Sequence, residues 1–169
     1  ARPGESEALG EMVDAELRAE AFLWAAPAPE AADRTYNLTN GDTFVLRHAW
    51  PDVADALALD SDGNAPENFS TFFARPAVQS AWTALARREG LALENLDELL
   101  GESHHYLDLL LGGKIADKQT PALVSTIAIR HAGFAACRDS RDSLIRQLGR
   151  MVELRLLPPM GRLCAGESS

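Results

Sequence analysis

Residues 35–51, with the sequence TYNLTNGDTFVLRHAWP, indicate the fold class of the chain. Residues 35–39 carry β-branched and aromatic side chains and predict a short strand. The pair Asn40-Gly41 predicts a turn, because both residue types adopt left-handed backbone angles at little cost. A helix is predicted from about residue 43 to residue 57, with Asp42 as its N-cap. A strand followed at once by a turn and a helix is typical of an α/β protein.

The predicted strand has no convincing partner elsewhere in the sequence. A single strand leaves its own backbone N–H and C=O groups without hydrogen bonds. We therefore expect residues 35–39 to pair with a sheet contributed by polypeptide outside this sequence.

Composition favours a folded globular chain and argues against two classes of partner. Hydrophobic residues make up 46% of the 169 residues, enough for one domain with a core. Acidic residues number 25 against 16 basic ones, and the net charge of −9 argues against nucleic acids and anionic membranes as partners. No apolar run approaches the length of a membrane span. Cys137 and Cys164 lack paired metal-ligand spacing, so we interpret them as reduced thiols of a cytoplasmic protein.

Helices separated by proline and glycine are predicted for most of the remaining sequence. We expect a loose segment over residues 1–10, a helical domain over residues 11–159 and a tail over residues 160–169. Pro51 either kinks its helix or starts a second one. The helices are expected at residues 11–26, 76–90, 96–111 with a break near Gly101, 121–131 and 140–156.

The sequence lacks the motifs of a self-sufficient reductase. Neither GxGxxG nor GxxxxGK[ST] is present, so no glycine-rich turn is predicted to bind a dinucleotide. Neither Tyr36 nor Tyr106 is followed four positions later by lysine, the arrangement that lowers a catalytic tyrosine pKa in many reductases.

A polar cluster at residues 102–108 allows a metal-dependent alternative. His104 and Asp108 are four positions apart and would share one helix face, with Glu102 as a third ligand. A metal-dependent hydrolase using His104, His105 and Asp108 is therefore one hypothesis. We favour an ordinary pocket or surface role, because histidines at a helix start are common without a metal.

Two further stretches, taken with the opening one, carry a family resemblance. Residues 36–44 and 50–54, YNLTNGDTF and WPDVA, resemble the F-N-[VI]-T-N-G-D-x-F…W-P-x-[IL]-A signature of the progesterone 5β-reductase and iridoid synthase-like short-chain dehydrogenase/reductases. Residues 125–134, STIAIRHAGF, resemble the S-T-[IL]-K-[IL]-R-Q-A-G-F motif of the same group. The hydrophobic-Pro sequence at residues 156–158 resembles its closing motif.

This resemblance implies a function for the chain. The matching motifs belong to the C-terminal part of the family, which covers the substrate over a Rossmann half. The fold class implied is α/β, with this portion mostly α-helical and containing one or two short strands. The chain would be the substrate-binding portion of an NAD(P)H-dependent oxidoreductase acting on a carbonyl or an activated alkene. The missing N-terminal Rossmann half would supply the cofactor, the tyrosine and the lysine, so no catalytic or cofactor-binding residue is assigned here.

The resemblance also implies the substrate-binding residues. Relatives carry W-[WF]-F-x-D where this chain has HHYLD at residues 104–108. The residues expected to contact a small-molecule substrate are His105, Tyr106, Leu109 and Leu110. Paired histidines predict a more polar pocket entrance than a steroid or terpenoid site would favour. The alternative function is a non-catalytic small-molecule-binding or protein-interaction module, and a homo-oligomer is a further association to test.

Overall fold

The computed structural model describes residues 7–59, 68–111, 121 and 123–160, except for the side chains of residues 109–111. The described chain is mostly helical with one two-stranded sheet, in agreement with the predicted content of this portion. In chain order the elements are β1 (Leu9–Gly10), α1 (Ala15–Ala25), a 3-10 turn (Pro29–Ala31), β2 (Phe44–Val45), α2 (Leu46–Ala56), α3 (Phe69–Phe73), α4 (Pro76–Glu89), α5 (Leu96–Leu100), α6 (Ser103–Leu111), α7 (Ile127–His131) and α8 (Ser140–Glu153). None of the helices in these ranges combines the length and apolar character that crossing a membrane requires.

The sheet lies at positions that the sequence pattern did not predict. β1 pairs antiparallel with β2, with Leu9 opposite Val45 and Gly10 opposite Phe44. Residues 9 and 10, expected to belong to a loose segment, thus form a strand, and the helix expected from about residue 43 begins at Leu46. Phe44 and Val45 are aromatic and β-branched, which suits a strand once a neighbouring segment is present.

Residues 35–39 do not form a paired strand. The side chains of residues 35–38 nevertheless alternate as in a strand, because Tyr36 and Leu38 pack inward while Thr35 and Asn37 are exposed. Thr39 is buried and ends this alternation. Within the described residues this stretch has no strand partner, so its assignment as a strand stays a prediction.

A small apolar cluster joins α1 to α7. Leu17 and Ala21 of α1 pack with Ile129 of α7 and with Phe134. Trp24 lies over this cluster, with its ring centroid 5.5 Å from that of Phe134. These side chains are one helical turn apart on α1, as predicted for residues 11–26. We call residues 7–59 and 123–160 the motif region.

Residues 68–111 form a second group of helices, α3 to α6, which we call the four-helix region. α3 packs on both α4 and α6, and α4 packs on α5. Gly90 ends α4 in a left-handed conformation with φ +63°, as predicted. Gly101 has φ +50° and separates α5 from α6, which confirms the predicted break. The amide of Ala92 donates to the carbonyl of Arg155 at 2.8 Å and connects the two regions.

Three helices of the motif region differ from expectation. α2 continues through Pro51 as one helix. α7 begins only at Ile127 rather than at residue 121, because Val124 instead donates its amide to Glu11 Oε2 at 2.8 Å. α8 starts at Ser140, as predicted, with Asp139 as its N-cap, but it ends at Glu153 rather than at residue 156, and Leu154 is exposed.

Candidate functional site

Asn40 is the centre of the motif region. The residue is fully buried, and its amide donates to the carbonyl of Met12 at 2.8 Å while its carbonyl accepts from the amide of Arg138 at 2.9 Å. Its side-chain Oδ1 accepts from the amide of Asp14 at 2.7 Å. Its Nδ2 donates to the hydroxyls of Ser140 at 3.1 Å and Ser143 at 3.4 Å. Every polar group of Asn40 is satisfied, so one side chain connects α1 to α8.

Asp14 forms the second centre and caps α1. Its Oδ1 accepts from the amides of Glu16 at 2.8 Å and Leu17 at 3.3 Å. Arg146 of α8 reaches the other oxygen at 2.5 Å. Burial alone would raise the pKa of the Asp14 carboxyl, but these amides, Arg146 and the Ser143 hydroxyl together hold that pKa below its ordinary value. Asp14 is therefore a charged structural group.

Asp42 caps a helix other than the predicted one. Its Oδ2 accepts from the amide of Ser140 at 2.9 Å and its Oδ1 from the Ser140 hydroxyl at 2.5 Å, so it stabilises the start of α8. The predicted cap of α2 is wrong: Val45 occupies that position, and no side chain caps α2. The Asn40 cluster is defined here as Asp14, Asn40, Asp42, Ser140, Ser143 and Arg146.

Gly41 follows Asn40 at a position that has no room for a side chain. Its φ is +104°, and a Cβ there would lie 2.6 Å from the Arg130 guanidinium and 3.2 Å from Cβ of Cys137. The predicted turn at Asn40-Gly41 is confirmed. Asp14, Asn40 and Asp42 each accept or donate hydrogen bonds that connect α1, the turn and α8, which gives the Asn40 cluster a structural role.

The predicted substrate-binding segment lies on α6 and contains the second polar cluster. His105 Nε2 is 3.2 Å from a carboxylate oxygen of Glu102, and its Nδ1 is 3.5 Å from the hydroxyl of Ser70 on α3. The rings of His104 and His105 lie 4.0 Å apart at 45°. The Nδ1 atom of His104 is buried and has no partner among the described residues.

Asp108 holds α3 against α6. Its carboxylate accepts from the amides of Phe69 and Ser70, the latter at 3.1 Å, and from the Ser70 hydroxyl. Burial would raise the pKa of Asp108, but the Ser70 hydroxyl, the two amides and nearby His104 outweigh burial and lower it. The carboxylate of Asp108 is thus ionised at neutral pH, and both of its oxygens accept hydrogen bonds from α3.

The structure places the four predicted site residues on one helix, α6, and the two of them whose side chains are described are exposed. His105 is exposed, and Tyr106 is 66% exposed with no hydrogen bond to any described residue. Leu109 and Leu110 belong to α6, but their side chains lie outside the description, so their predicted role stays a prediction.

The metal hypothesis does not fit this geometry. Within the described ranges no group of three His, Cys, Asp or Glu side chains is arranged to hold an ion. Asp108, its proposed carboxylate ligand, is used by α3 instead. The metal-dependent hydrolase is therefore not proposed further.

Ser70 was missed by the sequence analysis. It stands at the second position of α3, where Asn68 accepts from the amide of Thr71 at 2.6 Å as the N-cap. The sequence NFST already carries this capping signal. No local signal shows that α3 meets α6, because that contact joins residues 38 positions apart.

Known proteins resemble this chain over most of its length. The (S)-8-oxocitronellyl enol synthase of Antirrhinum majus is 26% identical over 153 residues, which cover 89% of this chain and 37% of the relative. The (S)-8-oxocitronellyl enol synthase ISY2 of Nepeta racemosa is 35% identical over 86% of this chain and 35% of its own length. The 3-oxo-Delta(4,5)-steroid 5-beta-reductase of Arabidopsis thaliana is 23% identical over 86% of this chain and 36% of its own length. No protein-family model matches the chain.

The chain spans little more than a third of the curated relatives that it matches. It corresponds to the C-terminal portion of iridoid synthase and progesterone 5β-reductase-like proteins. This confirms the resemblance inferred from the TNGD and STIAIRHAGF motifs.

Proposed function

We propose that this chain, as the counterpart of the C-terminal portion of those reductases, is the substrate-binding part of an NAD(P)H-dependent short-chain oxidoreductase. The observation that carries the proposal is the similarity over at least 86% of the chain to relatives of both names. One relative is named for forming the enol of an oxo compound and the other for reducing a 3-oxo-Δ4,5 steroid. Both names describe an oxo group, and the steroid name places an alkene beside it. The proposed substrate class is therefore a carbonyl compound or a carbonyl-activated alkene.

In this proposal, the cofactor and the substrate are bound by different parts of the protein. A dinucleotide needs a glycine turn whose amides are free to approach its phosphates. Gly41 is packed against Arg130 and Cys137, and the turn leads into β2 rather than into a helix N-terminus. The Gly41 turn therefore lacks the free amides that a dinucleotide phosphate would need. In this proposal the cofactor, the proton-donating tyrosine and the lysine belong to an N-terminal Rossmann half.

The role of this chain is to bind and orient the substrate. Tyr106 presents an exposed aromatic face, and beside it the exposed His105 ring lies against Glu102 and the Ser70 hydroxyl, which a polar substrate group would have to replace. The two side chains could contact the apolar and polar ends of an oxo compound. Holding the substrate in one orientation and excluding water raises the rate without any acid or base from this chain.

A chimera tests the proposal. In it, this chain replaces the matching C-terminal portion of the Nepeta racemosa relative, and NADPH consumption is followed with a panel of α,β-unsaturated ketones and aldehydes. We expect turnover by the chimera and none by this chain alone. A folded chimera that binds NADPH but turns over no member of the panel contradicts the proposal and favours the non-catalytic binding module.

A matched pair of variants tests the substrate-binding side. In the chimera, Tyr106→Ala is expected to change the ratio of kcat/KM between a large and a small enone about tenfold, while the Kd for NADPH stays the same. Phe22→Ala is the control, because Phe22 is 68% exposed, as Tyr106 nearly is, but lies on α1. Equal losses of substrate preference and cofactor affinity would contradict the assignment of Tyr106.

A further inference from the structure

Ser70 of α3 and His105 of α6 contact each other at the proposed substrate site. The Ser70 hydroxyl lies 3.5 Å from Nδ1 of His105 and also contacts a carboxylate oxygen of Asp108. On the other side of the ring, Nε2 of His105 lies 3.2 Å from the carboxylate of Glu102. These four side chains form a row with a carboxylate at each end, so the hydrogen atoms between them can be counted.

The two carboxylates use the hydrogen atoms that the row contains. A carboxylate only accepts hydrogen bonds, so Glu102 accepts from the Nε2–H of His105 and Asp108 accepts from the Ser70 hydroxyl. A neutral imidazole has one N–H group, and its other nitrogen is an acceptor. Nδ1 of neutral His105 and Oγ of Ser70 therefore face each other as two acceptors with no hydrogen atom between them.

This arrangement makes the two ring nitrogens of His105 unequal toward a ligand. A carbonyl oxygen is an acceptor, so it could bind the Nε2–H only by displacing Glu102, whose carboxylate is the stronger acceptor. An O–H or N–H donor that binds Nδ1 instead replaces a contact in which no hydrogen is shared. The side chain of His105 is 60% exposed, so a ligand can approach it.

The surroundings of the row favour a donor as well. The amides of Phe69 and Ser70 hold the Asp108 carboxylate in place, so the Ser70 hydroxyl has a fixed acceptor. The carboxylate of Glu102 lies beside His105, and the chain has a net charge of −9. Negative charge attracts the positive end of a donor group, and an ammonium most strongly.

We propose that the substrate is an oxo compound with a second polar group, a hydroxyl or an ammonium, that donates a hydrogen bond to Nδ1 of His105. This inference rests on the proposed function, because it concerns the substrate of the same site. The donor fixes the polar end of the substrate, while the exposed ring of Tyr106 contacts an apolar part.

Matched enones test the requirement for a donor in the chimera. They share one ring and differ in a single substituent, which is hydroxymethyl, aminomethyl, methoxymethyl or ethyl. At about pH 8, where an ordinary imidazole is neutral, a donor substituent should raise kcat/KM about tenfold over ethyl. Methoxymethyl, which only accepts, should stay within about twofold of ethyl. The better of the two donors identifies the group, and a panel in which neither donor exceeds methoxymethyl overturns the inference.

A matched pair of histidine variants locates the acceptor. His105→Phe keeps an aromatic ring but removes both nitrogens, so the preference for the donor substituent should fall to within about twofold. His48→Phe is the control, because His48 of α2 is 63% exposed and also lies against a glutamate, with Nε2 3.3 Å from Glu7. This control should keep the tenfold preference. A preference that survives in His105→Phe overturns the inference.

A binding measurement separates this inference from the proposed function. In the chimera with NADP⁺, where no reduction can occur, the ¹⁵N NMR signal of His105 Nδ1 should move upfield with a donor enone and stay unchanged with the ethyl enone. This shift without NADPH-dependent turnover of any enone supports the donor site and contradicts the reductase function. Equal turnover of all four enones without the shift supports the function and overturns the donor site.

Discussion

The motif region and the four-helix region are held together in different ways. In the motif region, buried side chains bond across long stretches of sequence, such as Asn40 to Asp14 over 26 positions and to Ser143 over 103. In the four-helix region, Asp108 reaches Ser70 over 38 positions, but these bonds are only partly buried, and the ion pairs are exposed. The comparison indicates that a fully buried polar cluster fixes the motif region, whereas the polar contacts of the four-helix region lie nearer the surface.

Replacing Asn40 should cause the largest loss of stability in the motif region. Asn40→Ala removes three side-chain hydrogen bonds and leaves the buried amide of Asp14 without its partner, so we expect a loss of about 4 kcal/mol in the free energy of unfolding. Urea denaturation measures this loss. Asn37→Ala is the control, with an expected loss under about 0.5 kcal/mol, because Asn37 is exposed. Similar losses in the two variants would show that the Asn40 cluster does not hold the region.

Removing the charge of Asp14 should weaken the same region and change its response to acid. The pKa of Asp14 is lowered on folding, so its contribution is present above the unfolded pKa and is lost as the pH falls through the folded value. The free energy of unfolding of the parent chain should therefore fall below about pH 4.

Asp14→Asn should cost about 2 kcal/mol at neutral pH and flatten that acid slope, leaving the part due to Asp108. Urea denaturation at pH 3 to 7 measures both effects. Asp52→Asn is the control at neutral pH, because Asp52 pairs with Arg141 at the surface and should contribute under about 0.5 kcal/mol. An unchanged acid slope in Asp14→Asn would contradict the assigned role of this carboxyl.

Alanine substitutions at Gly41 and Gly90 allow a crowded turn to be compared with an open one. Gly41→Ala places a Cβ against Arg130 and Cys137 at positive φ, for an expected cost of about 2 kcal/mol in unfolding free energy. Gly90→Ala has positive φ but open space around the Cβ, for an expected cost of about 1 kcal/mol. Thermal or urea denaturation gives both values. An equal cost at the two positions would mean that Arg130 and Cys137 move aside freely.

The smallest effect is expected from Asp108. Asp108→Asn keeps the shape of the side chain but loses its charge, which weakens the cap of α3 by about 1 kcal/mol. Hydrogen exchange should quicken about fivefold in α3 and stay unchanged in α8. Faster exchange in α8 as well would show that the two regions unfold as one unit.

Local signals predicted much of the helical structure. Gly90 and Asp139 gave two helix boundaries correctly, because each acts within one helical turn. The break at Gly101 was also readable, since the residue adopts a positive φ there. The division of the chain at residues 10 and 159 stays a prediction, and residues 161–169 of the expected tail lie outside the described ranges.

Interactions between distant residues could not be predicted in the same way. Asp42 has the sequence context of a cap for the next helix, yet its carboxylate binds Ser140, 98 positions later. Phe44 and Val45 became a strand because Leu9 and Gly10 lie beside them. At the predicted substrate site, the resemblance assigned α6 its role. Only the folded structure shows that Ser70 of α3 lies beside His105.

The separation between Asn40 and Ser143 also sets an order of events during synthesis. The Asn40 side chain cannot complete its bonds until residues 140–143 have left the ribosome, after more than four-fifths of the 169 residues have been made. Chains released before α8 is formed would expose the buried faces of α1 and α2 and become targets for chaperones or proteases. Completion of α8 would then act as a late step in the folding of the motif region.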